Sequence, residues 1–133
     1  MVEPRPRAAA ALIGIGAWFV LIEGLLLVIL GAFVASSNFG GLGGGLVLAG
    51  VVDAFVGVLM FGVALLVYAE PHHHVANGLL ALVLVVLSFL FGFGGFIIGA
   101  ILVTVGAILA IAWSPPKPVV VAAVTRGGVP ASR

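Results

Sequence analysis

Four long stretches of this chain are almost uninterruptedly apolar, and two of them each contain one carboxylate. The stretches are residues 8–35, about 45–69, about 75–93 and about 95–113. A helix rises 1.5 Å per residue, so about 20 apolar residues cross a hydrocarbon core of about 30 Å. The pattern predicts four membrane-spanning helices. Between the first two lies Ser36-Ser37-Asn38-Phe39-Gly40-Gly41-Leu42-Gly43-Gly44, which reads as an uncharged Gly-rich turn. Glu70-Pro71-His72-His73-His74 separates the second and third, with Pro71 suited to the first turn of a helix. Gly92-Phe93-Gly94-Gly95 joins the third and fourth, and Ser114-Pro115-Pro116-Lys117-Pro118 stops the last.

The expected fold is all-α: an integral membrane four-helix bundle built of two antiparallel transmembrane hairpins. Residues 1–7 form a cytoplasmic N-terminal segment, 8–113 the transmembrane domain and 114–133 a flexible cytoplasmic tail. Arg5 and Arg7 resemble the n-region of a signal peptide. The apolar run behind them is too long for a 7–15-residue h-region, and Phe33 blocks an A-x-A site ending at Ala35, so a retained helix is expected.

Composition agrees with lipid as the solvent. The chain is 64% hydrophobic and 7% charged, where a soluble domain carries roughly 25% charged residues. The net charge of +1 offers no field for nucleic acid. There is no cysteine, hence no disulfide or thiolate chemistry. Arg5 and Arg7 precede the first span, and Lys117, Arg126 and Arg133 follow the fourth. The positive-inside rule puts both termini in the cytoplasm of a multi-pass protein of the plasma or inner membrane. Trp18, Tyr68 and Trp113 fall towards the same side, although Trp18 lies two or three turns in. Phe39-Gly40-Gly41 and Phe93-Gly94-Gly95 open the second and fourth spans alike, which fits either a parallel internal repeat or the general likeness of Gly-rich hairpins.

Small residues recur on single helical faces. The fourth span carries Gly95, Gly99, Gly106 and Ala110, the first Ala17, Gly24, Gly31 and Ala35, and the second Gly50, Gly57 and Ala64. Such stripes let backbones approach closely where hydrophobicity cannot drive association. Packing within the bundle is the first expectation. A stripe of the fourth span turned to another protomer is the second.

Glu23 and Asp53 resist the packing explanation. A charged acid at mid-bilayer costs about 2.5–3.5 kcal/mol on insertion scales, and the spans hold no Lys or Arg to pair with it. Three roles compete: interhelical hydrogen bonding, proton or cation binding in a hydrated cleft, and pairing with a partner's basic residue. Asp53 shares a face with Gly50 and Gly57 and should point inward. Two facing carboxyls can share one proton. Ser88 and Thr104 read as ordinary helix residues. The His72–His74 run lacks the i, i+4 spacing of helical metal sites and reads as a polar interfacial loop, so no metal or other cofactor is expected. The Val119–Val124 run is too short to span, and Gly92-x-Gly94 has no βαβ setting for a dinucleotide.

Ala69-Glu70-Pro71-His72-His73-His74-Val75 with Gly78, then Gly94-Gly95-Phe96-Ile97-Ile98-Gly99, then Gly106 through Ala110-Ile111-Ala112-Trp113, resembles a family of small prokaryotic four-helix membrane proteins classed as a domain of unknown function. The likeness covers the third and fourth spans and implies topology, with no activity attached. The functional expectation is a non-enzymatic membrane protein acting through helix packing, as a homo-oligomer or scaffold subunit with lipid and a membrane partner as its surroundings. The alternative is a small proton or cation channel or carrier using Glu23 and Asp53.

Overall fold

A computed structural model describes residues 5–37, 40–92 and 94–115. All regular structure among them is helical: α1 (Arg7–Ala35), α2 (Gly40–Ala69), a 3-10 turn (Pro71–His73), α3 (His74–Phe91) and α4 (Ile98–Ala112). Three segments are long and apolar enough to cross a membrane, Arg7–Ala35, Gly41–Ala69 and Pro71–Phe91, while Ile98–Ala112 is a shorter apolar helix. The Val119–Val124 run and Lys117, Arg126 and Arg133 lie outside the described residues.

Two boundaries differ from the sequence reading. The glycines at 40–44 belong to α2 and not to a turn. Of Gly41, Gly43 and Gly44, only Gly43 is pressed against a neighbour: a β-carbon there would collide with the Ala35 backbone of α1. Helix packing at that one position overrides the weak helix propensity of glycine. The fourth helix starts at Ile98, not near Gly95, because Gly94, Gly95, Phe96 and Ile97 all have positive φ. Consecutive left-handed residues cannot belong to a right-handed helix.

α1 sits between α2 and α4, and α3 closes the ring against α2 and α4. Small residues make the seams. A β-carbon on Gly24 would meet the Ala54 backbone and the Gly50 carbonyl, one on Gly31 would lie 2.6 Å from the Val47 nitrogen, and one on Gly57 2.8 Å from that of Leu21. Contact positions fall along α2 as they rise along α1. The α1–α4 seam is built alike: a β-carbon would lie 2.7 Å from the Gly99 carbonyl at Gly16, and 2.9 Å from the Ala9 carbonyl at Gly106. Gly95 abuts Val20, and Ala110 is fully buried. The fourth-span stripe is therefore occupied by α1 inside the protomer.

Large apolar side chains face outward, among them Leu25, Ile29, Phe33, Phe55, Leu65, Val86 and Ile101. Small residues at the helix seams, with bulky apolar side chains both in the core (Ile13, Val20, Met60, Val103) and over the outside, suit a bundle whose surroundings are as apolar as its core. The helices are also unequal. At 1.5 Å per residue, α1 (29 residues) and α2 (30) are about 44 Å long, α3 (18) about 27 Å and α4 (15) about 22 Å.

Candidate functional site

Glu23 and Asp53 converge on the α3–α4 turn. Asp53 is 0% exposed and Glu23 3% exposed. Asp53 reaches α3, where the hydroxyl of Ser88 donates to its Oδ1 at 2.5 Å. Its Oδ2 is buried with no hydrogen-bond partner. Glu23 reaches the segment before α4, where the amide of Phe96 donates to Oε2 at 2.9 Å. The acids are close enough for the charge of Glu23 to act on Asp53. Ser88 corrects the sequence reading: it is fully buried and serves Asp53, not its own backbone. A Ser on the α3 face that meets Asp53 was the only available signal.

The turn is strained. Phe96 (φ 57°) and Ile97 (φ 66°) occupy a region that L-residues avoid, after Gly94 and Gly95 (both 65°), which tolerate it. Ile97 centres a tight turn in which the Ile98 amide donates to the Phe96 carbonyl at 2.6 Å. The amides of Gly99 and Ala100 reach back to the carbonyls of Gly95 and Gly94, each at 2.8 Å. Strain of this kind persists where surrounding contacts over-determine it. The Glu23 carboxylate on the Phe96 amide is one such contact.

An open apolar groove of about 550 Å³ lies beside the turn, lined by Leu26, Ile29, Leu30 and Phe33 of α1 and by Phe96, with Glu23 at one margin. Asp53 does not line it. No group of three or more His, Cys, Asp or Glu able to hold a metal occurs among the described residues.

The opposite end of the bundle is basic and aromatic. The guanidinium of Arg5 lies 5.0 Å from the ring centre of Tyr68. His74 packs edge-on against Trp113 at 5.3 Å and, through Nδ1–H, donates to the Ala110 carbonyl at 2.8 Å. His74 thus ties α3 to the end of α4, while His72 and His73 are exposed. Trp18 sits on the outer surface, edge-on to Phe61 at 6.2 Å. Asn77 of α3 is a second buried polar residue that the pattern of the chain did not single out, and its Nδ2 has no partner.

Comparison with protein-family models, with curated proteins and with solved structures returned no match, so the function is read from this geometry.

Proposed function

We propose that this chain is a small non-enzymatic integral membrane protein that acts through helix packing, as a homo-oligomer or scaffold subunit. In this reading its body is two antiparallel transmembrane hairpins, α1–α2 and α3–α4, with both termini in the cytoplasm of a plasma or inner membrane. The observation that carries it is that glycines make close backbone seams between the helices while a large set of Leu, Ile, Val and Phe side chains covers the outside. The carboxylates fit this reading as anchors of a turn that the backbone alone would not hold. Since α1 occupies the fourth-span stripe, a partner would meet one of the bulky outer faces. The likeness to the four-helix family of unknown function rests on sequence motifs alone and adds no activity to this reading.

A second reading is a proton or cation channel or carrier. It is favoured by one observation, the broken backbone between α3 and α4 with both acids beside it. Irregular backbone at membrane depth occurs where it is buried in protein or lines a cavity, and ionisable residues there mark ion pathways. It ranks second because no file of polar residues leads from Asp53 to either end among the described residues.

One measurement separates the two. Proteoliposomes with pH- and cation-sensitive dyes would be compared for the native chain, Glu23→Gln and Asp53→Asn. The packing reading expects no flux, or flux indifferent to both substitutions. Flux that either substitution abolishes replaces it with the second reading. Particle mass in mild detergent, against 13.4 kDa for one chain, then tells an oligomer from a single subunit.

A further inference from the structure

We infer that Asp53 holds a proton at neutral pH, carried on its Oδ2. Each carboxylate meets a different end of a helix. Ser88 and Gly92 place Asp53 at the C-terminal end of α3, where unpaired carbonyls and the helix dipole are negative. Glu23 accepts a backbone amide at the start of α4, the positive end of that dipole. The hydrogen bonds divide the same way. One oxygen of Asp53 receives the Ser88 hydroxyl and the other, wholly buried, receives nothing. A buried anionic oxygen with no donor among the described residues is costly, and a proton on it removes the charge.

No other group can do so. Residues 8–115 contain no Lys or Arg, and the remaining titratable side chains of the bundle, Tyr68, Glu70 and the histidines, lie at its other end. The one acid of α1 that acts on Asp53 is Glu23, its described contacts on α3 are the uncharged Ser88 and Gly92, and α4 has no titratable residue. With the proton on Oδ2, Oδ1 is the carbonyl oxygen and accepts from Ser88.

The inference rests on the membrane reading of the bundle and is independent of ion flux. Infrared spectra of the full chain in lipid bilayers at about pH 7.5 test it, well above the ordinary carboxylate range near 4. Asp53 is the sole Asp of the chain, so carboxyl-13C aspartate labels it without mutation. The expected result is a protonated-carboxyl band in the native chain that moves on aspartate labelling and is kept in Glu23→Gln. In Ser88→Ala the same band rises in frequency, because the carbonyl loses its donor. A native spectrum without the band, a band indifferent to aspartate labelling, or one unmoved in Ser88→Ala overturns the assignment. A band without flux upholds the inference and sinks only the channel reading. Failure of the chain to insert in bilayers would sink the membrane reading itself.

Discussion

The carboxylate of Asp53 stands where a side chain of residue 92 would be. A β-carbon on Gly92 would lie 2.8 Å from Oδ2 and 2.9 Å from Cγ of Asp53. The glycine that ends α3 and the acid of α2 therefore fit each other as a pair, and neither is understood alone. Ser88, one turn earlier on α3, holds the carboxylate in that place.

Gly92→Ala should destabilise the bundle by about 1–3 kcal/mol, the usual cost of forcing atoms into a filled site. Asp53→Ala in the same chain should recover most of that loss, so the two changes should be non-additive by about 1 kcal/mol or more. Unfolding in mixed detergent of the native chain, both single variants and the double variant measures it. Additive effects would mean that the contact is not felt.

The glycines should divide into two classes. A β-carbon on Gly24 or Gly50 would meet backbone across the α1–α2 seam, and backbone cannot rotate away, whereas nothing lies within 4 Å of such an atom on Gly44 or Gly62. Gly24→Ala and Gly50→Ala should each lower the unfolding midpoint. Gly44→Ala and Gly62→Ala should hold or raise it, by up to about 1 kcal/mol from helix propensity. Equal effects at all four would contradict the seam.

Ile97 is a β-branched residue at φ 66°, and its side chain is 60% exposed. Ile97→Gly relieves strain of about 1–3 kcal/mol and forfeits little packing. Glycine also adds freedom to the unfolded chain, so the net gain should be about 1 kcal/mol. Ile97→Pro, which requires negative φ, should disrupt the α3–α4 turn. Thermal unfolding of both variants reads the sign, and a destabilised Ile97→Gly would refute the strain.

The role of Glu23 at Phe96 can be separated from its charge. Gln keeps an oxygen that accepts the Phe96 amide, and Leu does not. Glu23→Leu should cost about 1–3 kcal/mol for the orphaned donor and Glu23→Gln clearly less. If Leu proves as stable as the native residue, the carboxylate does not anchor the turn.

A chain without cysteine accepts single-cysteine topology mapping directly. Ser37 follows α1 and Ser114 follows α4. Membrane-impermeant thiol reagents should label Ser37→Cys from outside and Ser114→Cys only after the membrane is opened. Labelling of both from one side would end the four-span, cytoplasmic-termini reading.

Much of the helical layout was legible in the chain because span length and charge placement are coarse signals. The inward aim of Asp53 followed from its sharing a face with Gly50 and Gly57, both buried against α1. The start of α2 was not legible, since Gly40 to Gly45 carry turn chemistry locally, and the packing of Gly43 against Ala35 of α1 is not visible in the chain. The left-handed turn was hidden for a different reason. Gly94 and Gly95 advertise positive φ, but Phe96 and Ile97 read as ordinary apolar residues and are held by tertiary contacts such as the Glu23 hydrogen bond. Ser88 was passed over because a helical serine usually bonds its own backbone, and only the neighbouring helix decides otherwise.

The unequal helices have a consequence for the surrounding lipid. Past Glu23, α1 continues to Ala35 for about 18 Å with its buried residues Gly24, Leu27 and Gly31 turned to α2. In a bilayer, one flank of the protein then matches a thick hydrocarbon layer and the other a thin one. Against a core of about 30 Å, α1 and α2 would tilt or protrude while lipid beside the shorter α4 would thin, at a fraction of a kcal/mol per Å of mismatch. The protein is a wedge in cross-section. Two such wedges placed thin flank to thin flank would share a single zone of compressed lipid, an attraction that needs no contact between their side chains.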